Sequence, residues 1–264
     1  TTDMQPIRKH DEAVTEDKPD QPGDGDDAAH ANGQPVRAAR LKPGERRVHI
    51  LQTLAAMLEA PKNEKITTAA LAARLGVSEA ALYRHFASKA QMFEGLIEFI
   101  EHSLFGLINQ IVAKEPNGVL QARAIALTLL NFSAKNPGMT RVLTCEALVG
   151  EHERLTERVN QMLERIEASL KQCLRVGLME ANAREAPHAE DATHATQAQL
   201  QAQQQAQPHA KREAAVPLPA GYDPTVRANL LLSYIIGRWH RYARSGFARA
   251  PGEHADAQLL LILQ

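Results

Sequence analysis

The chain is poor in cysteine, and this scarcity excludes two kinds of small domain. Its 264 residues include only Cys145 and Cys173, and no C-x-x-C pair is present. A disulfide framework or a zinc site is therefore not expected. Both cysteines fall in apolar stretches with helical spacing, which predicts small core residues. The eleven histidines show no metal-ligand spacing, so we expect no bound metal.

Features of an enzyme are also scarce. The sequence contains no Gly-rich phosphate loop, no nucleophile–base set and no cluster of carboxylates, which predicts a protein that is not an enzyme and holds no cofactor. Aromatic residues make up only 4% of the chain, which is few for an aromatic-lined ligand pocket. No signal peptide and no apolar run of about 18 residues is evident, so we expect a cytoplasmic protein without membrane contact.

Charge is distributed unevenly along the chain. The formal net charge is −1, but residues 1–35 hold 3 Lys/Arg against 9 Asp/Glu, which leaves 27 against 22 elsewhere. Residues 1–42 are predicted to be a disordered acidic tail, either solubilising or competing with DNA for a mildly basic body. Residues 182–220, rich in Gln, Ala and Pro, are predicted to be a low-complexity insertion, with a frayed helix near 192–207 as the alternative.

One segment, Thr67 to Phe86, predicts two short helices joined by a tight turn. Thr68 is expected to cap the first helix, and Leu71, Ala72 and Leu75 form its apolar face. Gly76 supplies the positive φ that ends this helix, and Ser78 caps the next one. This pattern is typical of a helix-turn-helix, although an ordinary αα-hairpin has the same spacing.

The residues that follow favour DNA binding over a plain hairpin. Tyr83, Arg84, His85 and Lys89 bring four hydrogen-bond donors into seven positions. Ser88 is expected to cap a long helix, whose free N–H groups would form a phosphate site together with Lys89.

The pattern resembles the DNA-binding domain of the TetR family. The resemblance rests on Ile66-Thr-Thr-Ala, on Gly76-Val-Ser-Glu-Ala-Ala-Leu-Tyr-Arg-His-Phe86 and on Ser88-Lys89, and it covers about 43–178 and 221–264. It implies an all-α fold of about nine helices. A three-helix helix-turn-helix domain would occupy 43–90, and an antiparallel helical domain for dimerisation and partner binding would occupy 91–264. The chain departs from its relatives at Ala70, where related sequences carry a Lys that binds phosphate.

Nine residues are predicted to contact DNA. Ser78, Glu79 and Ala80 lie at the start of the second helix and are expected to meet base edges. The other six are predicted to bind phosphate and so to fix the position of the protein along the DNA. They are Thr67, Thr68, Tyr83, Arg84, His85 and Lys89.

The C-terminal half predicts helices over 137–149, 151–178, 224–245 and 253–264. Apolar residues alternate by three and four through 151–178, which predicts a coiled-coil-like seam. One recognition helix reads too few base pairs to select a genomic site, so a homodimer on a palindromic double-stranded DNA site is expected. By resemblance the last two helices would pair between subunits, with Leu231, Ile235 and Trp239 in the interface; the alternative is that they are core.

Two functions are compatible with this fold. The usual one in the family is a repressor released by a small inducer. The other follows from a resemblance to one branch of the family, the nucleoid occlusion factors, whose DNA-bound dimers bind the tubulin-like division GTPase FtsZ and block ring assembly. In that branch a cationic groove binds the FtsZ tail, which implies partner-binding roles for Phe99, Lys135 and Asn136. The chain departs from the branch at three positions, namely Leu107 (Arg in relatives), Thr128 (Leu) and Asn131 (Gly). The occlusion factor, nucleoid-associated in the cytoplasm, is the preferred prediction.

Overall fold

All regular secondary structure in the part of the chain that the structure describes is helical. The structure, a computed structural model, describes residues 42–60, 66–185 and 218–264. Its α-helices are α1 (Pro43–Met57), α2 (Thr68–Leu75), α3 (Glu79–Tyr83), α4 (Lys89–Lys114), α5 (Gly118–Lys135), α6 (Pro137–Leu143), α7 (Glu153–Glu185), α8 (Pro224–Arg244) and α9 (Ala255–Leu263). The acidic tail and most of the low-complexity segment lie outside the described residues.

Two of the predicted helix bounds are wrong. The helix that begins at Pro137 ends at Leu143, because Cys145 has a positive φ of 59° and the chain continues as a short 3₁₀ turn, Glu146–Leu148. Helix α7 runs past the predicted end at residue 178. Its extra turns contain Met, Glu and Ala, which are good helix formers.

The first three helices enclose a small core. Its side chains are at most 1% exposed and comprise Ile50, Leu54, Leu71, Leu82 and Phe86. Ile50, Leu54, Leu71 and Leu82 lie on the apolar faces of their helices, and Phe86 follows α3. Packing of these side chains therefore holds the short helices more than intrinsic propensity does.

Helix α7 forms the central seam of the C-terminal helices. Leu155, Val159, Met162, Ile166 and Leu170 are fully buried at spacings of four, three, four and four residues, which confirms the predicted seam. This face packs against α5 and α8.

Two glycines let α5 cross α7 at close range. A Cβ on Gly118 would lie 2.1 Å from the carbonyl oxygen of Cys173 and 2.3 Å from the backbone nitrogen of Gly177. A Cβ on Gly177 would lie 2.7 Å from Val119 Cγ2. Only glycine at both positions allows this backbone contact.

Helix α6 joins the helix-turn-helix to the C-terminal helices. Gly138 packs directly on the backbone of α1, since a Cβ there would lie 1.9 Å from the carbonyl oxygen of Ala55. Arg141 Nη1 donates to the carbonyl oxygens of Leu58 and Ala60, at 2.8 and 3.1 Å. Leu58 is the C-cap of α1 and Ala60 lies in the turn that follows, so Arg141 caps the end of α1 from another element.

Helix α4 is long and apolar enough to cross a membrane by length and composition alone, with a mean hydropathy of 1.3 over its most apolar window. In this fold one face of α4 packs in the core. Its almost fully buried residues include Met92, Phe93, Leu96, Ile100 and Leu104.

Candidate DNA interface and partner groove

The turn between α2 and α3 has the geometry of a helix-turn-helix, with one correction to its caps. Thr67, and not Thr68, caps α2: its extended backbone precedes the helix and its hydroxyl accepts from the N–H of Ala70 at 3.1 Å. Gly76 ends α2 with φ of 65°, and Ser78 caps α3 by accepting from Ala81 N–H at 3.2 Å. The last two assignments are confirmed.

Thr68 belongs to a chain of hydrogen bonds across the two helices. Its hydroxyl donates to Glu79 Oε2 at 2.7 Å and accepts from the Tyr83 hydroxyl at 3.4 Å. Glu79 and Tyr83 are both exposed. The network therefore holds a carboxylate and a phenol in place on the outer face of α3, where a carboxylate can accept from a cytosine amino group.

Arg47 of α1 supports the far end of the recognition helix. Its Nη1 donates to the carbonyl oxygen of His85 at 2.8 Å, and its guanidinium lies 4.1 Å from the centre of the Phe86 ring. Because Phe86 is fully buried, Arg47 ties the backbone after α3 to the core. Sequence reasoning missed this contact, since it joins residues 38 positions apart and leaves no local signal.

Lys89 is already paired in the structure. Ser88 caps α4 as predicted, accepting from Gln91 N–H at 3.1 Å. The Lys89 ammonium, at the first turn of α4, forms a salt bridge with Glu151 in the loop before α7. It also lies 5.8 Å from the centre of the Phe93 ring. The Lys89 ammonium, which the sequence predicts to bind DNA phosphate, is therefore already paired with a carboxylate of its own chain.

A groove of about 250 Å³ opens where α1, α4 and α6 meet. Its lining comprises Gln52, Ala55, Ala56, Glu59, Phe99, Asn136 and Met139. Phe99 is partly buried, and the Asn136 amide is held by donating to the carbonyl oxygen of Phe132 at 2.8 Å. The groove thus contains two of the three predicted partner residues.

The prediction of a cationic groove is wrong for the residues that line it. The charged side chain that lines it is Glu59, an acid, whereas Lys135 is exposed and lies outside the lining. The three positions where the chain departs from its relatives lie on α4 and α5, outside the lining of this groove. Leu107 and Thr128 line a second depression of about 290 Å³, and Asn131 lines a third, of about 460 Å³, between α5 and the loop before α9.

Two known families match the two parts of this architecture. Residues 64–96 match the bacterial regulatory proteins of the tetR family. Residues 117–187 match the SlmA-like group of tetracyclin repressor-like C-terminal domains. The nucleoid occlusion factor SlmA of Idiomarina loihiensis is 46% identical over 213 residues, which cover 81% of this chain and 91% of that protein. The chain belongs to the SlmA family of nucleoid occlusion factors.

Other SlmA proteins show similar identity. SlmA of Alteromonas mediterranea is 42% identical over 218 residues, covering 83% of this chain and 94% of that protein. SlmA of a Marinomonas species is 58% identical over 134 residues, covering 51% of this chain and 68% of that protein. The SlmA-family chain is thus a DNA-binding regulator, and its family is not one of enzymes.

Solved structures confirm the all-α, TetR-like fold. A TetR-family regulator from Agrobacterium tumefaciens has a TM-score of 0.60 at 14% identity, covering 83% of this chain and 98% of that one. The regulator FadR from Bacillus subtilis, solved with stearoyl-CoA, has a TM-score of 0.57 at 11% identity, covering 82% and 97%. At such low identity these structures show the fold alone.

In this SlmA-family chain the three residues predicted at a dimer interface are core residues. Leu231, Ile235 and Trp239 are 0% exposed within one subunit, and the Trp239 indole N–H donates to the carbonyl oxygen of Leu129 at 3.3 Å. They have no surface left to offer a second chain, so the assignment is corrected. Their apolar spacing marks the face of α8 that packs on α5 and α7.

The exposed apolar side chains of α8 and α9 are different ones. Val226, Leu230, Leu260 and Leu261 are between 47% and 74% exposed. Every exposed leucine in the described ranges lies on these two helices. Such a concentration of exposed leucine on adjacent helices is typical of an interface.

Burial raises the pKa of both thiols. It raises the pKa of Cys173 to about 11, and it raises the pKa of Cys145 as well. Both are therefore protonated at neutral pH and are packing residues more than nucleophiles.

Proposed function

We propose that this SlmA-family protein acts as a homodimer on a palindromic DNA site, where it binds FtsZ and prevents ring assembly over the chromosome. The observation that carries the proposal is the 46% identity to a nucleoid occlusion factor across 81% of the chain. The two family models match the helix-turn-helix and, of the helices around the groove, α6 and the first turns of α4. A nucleoid-associated position in the cytoplasm follows from these activities.

The DNA contact is supported by the exposed start of α3. Ser78, Glu79 and Ala80 are all exposed there, at the end of a recognition helix that enters the major groove in this motif. The assignment of these three residues to base edges, and of Thr67, Thr68, Tyr83, Arg84, His85 and Lys89 to phosphate and register, stays part of the proposal.

The dimer contact is placed on the exposed leucines of α8 and α9. The two helices already form a fixed pair within one subunit, because the Tyr234 hydroxyl donates to Gln258 Oε1 at 2.7 Å and Arg227 donates to the carbonyl oxygen of Ile262. A preformed apolar face loses little side-chain entropy on association. Two such faces related by a twofold axis would form a four-helix interface.

Replacing Leu261 by Asp tests this placement. A charge at the centre of an apolar interface leaves an unpaired, desolvated group, so we expect a monomer by light scattering at micromolar concentration. Met179→Asp is the matched control, since Met179 is similarly exposed, at 71% against 74%, but lies on α7. A dimer in Leu261→Asp, or a monomer in the wild type, would contradict the proposal.

The FtsZ contact is placed in the groove between α1, α4 and α6. Phe99 offers an aromatic surface there, and the Asn136 side chain is fixed beside it by its bond to Phe132. An apolar side chain of an extended peptide can insert against the ring, while exposed Lys135 at the end of α5 attracts acidic residues of the same peptide. Glu59 would then face the less acidic part of that peptide.

The deciding experiment is co-sedimentation of FtsZ polymers with the protein, with and without a palindromic DNA duplex. We expect the protein to bind the polymers or reduce their assembly, more strongly when DNA is present. Phe99→Ala should lose this effect and keep DNA binding. Phe105→Ala is the control, because Phe105 is also partly buried in α4 but packs under Arg165 of α7, at 4.2 Å.

If DNA-bound protein neither binds FtsZ nor alters its assembly, the repressor released by a small inducer becomes the leading account. An equal loss in both phenylalanine variants would indicate damage to α4 and would move the contact away from the groove.

A further inference from the structure

The salt bridge between Lys89 and Glu151 joins the DNA-binding domain to the start of α7. The two residues are 62 positions apart. The Lys89 side chain is 35% exposed and that of Glu151 is 20% exposed, so the pair lies at the surface but is partly shielded from water. Among the described acids, Glu151 is the one that contacts a predicted phosphate-binding side chain through a salt bridge.

Other ion pairs continue along the same junction. Arg154 of α7 pairs with Glu94 of α4 at 2.7 Å, and Arg158 pairs with Glu101 at 3.2 Å. In these pairs the cation lies on α7 and the acid on α4. In the Lys89–Glu151 pair the cation lies on α4 and the acid lies just before α7. Here the acid from the α7 side therefore meets a predicted DNA-binding side chain at the start of α4.

We infer that Glu151 is a positioning residue that lowers DNA affinity by holding the Lys89 ammonium away from the phosphate backbone. The inference rests on the proposed contact between Lys89 and phosphate. In the free protein the ammonium is satisfied by a carboxylate of its own chain. To bind DNA it must leave Glu151 or share its donors, and in either case part of the gain from the phosphate is lost.

The size of the effect follows from the exposure of the pair. Partly exposed ion pairs of this kind change an equilibrium roughly twofold to fivefold. A dimer contains two copies, so removing both carboxylates should tighten DNA binding by roughly fourfold to twenty-five-fold. Lys89 would also be freer to displace counterions from DNA, which steepens the dependence of affinity on salt.

The test uses Glu151→Gln, which removes the charge and keeps the shape. Binding is measured by fluorescence anisotropy with a mixed-sequence DNA duplex of fixed length, because a phosphate contact acts on any sequence. Titrations from about 50 to 200 mM salt provide the slope. The matched control is Glu94→Gln, which makes the same charge change in the neighbouring ion pair of the same junction.

We expect tighter binding and a steeper slope for Glu151→Gln, and a much smaller change for Glu94→Gln. In a Lys89→Gln background the Glu151 substitution should have no effect, since the group through which it acts is gone. Wild-type affinity in Glu151→Gln, an equal gain in the Glu94 control, or a gain that persists without Lys89 would each overturn the inference.

The failure of the underlying contact gives a different result. If Lys89→Gln alone binds DNA with wild-type affinity and slope, Lys89 does not contact phosphate, and the inference falls with that contact. If Lys89→Gln weakens binding while Glu151→Gln has no effect, the DNA contact stands and only the role of Glu151 is wrong.

Discussion

Gly138 is a position where a single methyl group should destabilise the fold strongly, because α6 rests there on the backbone of α1. A Cβ at this residue would lie 1.9 Å from the Ala55 carbonyl oxygen and 3.2 Å from Leu58 Cβ. A carbon and a carbonyl oxygen need about 3.3 Å. Helix α6 would therefore have to move by more than about 1 Å, and no rotamer change can relieve a clash between a Cβ and a backbone atom.

The cost of Gly138→Ala can be estimated from what that movement disturbs. Overpacking in a tight contact costs about 1 to 3 kcal/mol. The same shift strains the two hydrogen bonds from Arg141 to the end of α1, at 2.8 and 3.1 Å, and a hydrogen bond to a charged group contributes about 1.5 to 3 kcal/mol. With both effects partly realised, we expect a loss of about 2 to 5 kcal/mol, and a fall in Tm of roughly 5 to 20 °C for a protein of this size.

Gly106→Ala is the matched control. It makes the same substitution within α4, where an added Cβ would meet no atom within 4 Å. Replacing an exposed helical glycine by alanine should stabilise the fold by about 0.5 to 1 kcal/mol. Thermal unfolding followed by circular dichroism measures both variants. If Gly138→Ala unfolds within about 1 °C of Gly106→Ala, the close contact between α6 and α1 is not as described.

Three further predictions concern other parts of the molecule. Arg141→Met keeps the volume but leaves the end of α1 uncapped, so urea unfolding should show a loss of about 2 to 4 kcal/mol, and a loss below about 0.5 kcal/mol would contradict the capping role. Lys89→Ala should weaken binding to every DNA sequence and flatten the salt slope by about one unit, whereas an unchanged slope would remove Lys89 from the phosphate contacts. The Cys173 thiol, with its pKa raised by burial from 9.0 to about 11, should resist a thiol reagent at neutral pH until the protein unfolds. As the pH rises, the thiol of the unfolded chain loses its proton before the thiol of the folded chain does. The contribution of this thiol to the free energy of unfolding is therefore complete below pH 9.0 and is lost as the pH rises to about 11. Urea titrations over that pH range would measure the loss.

The sequence alone determined the features whose causes are local. The caps at Ser78 and Ser88, the positive φ at Gly76 and the buried seam of α7 each depend on residues within a few positions of one another. Helix periodicity and capping chemistry are properties of such short stretches. They were sufficient to predict an all-α protein with a helix-turn-helix, and a resemblance at the same residues indicated its family.

Only the tertiary structure decided which distant groups meet. Apolar spacing showed that Leu231 and Trp239 lie on a buried face of α8, but a periodicity does not say whether a helix of the same subunit or of a second one covers that face; here it is the same subunit. The pairing of Lys89 with Glu151 likewise joins elements far apart in the chain. The physical reason is the same in both cases: a sequence pattern specifies what a side chain needs, whereas the packing of helices decides which neighbour supplies it.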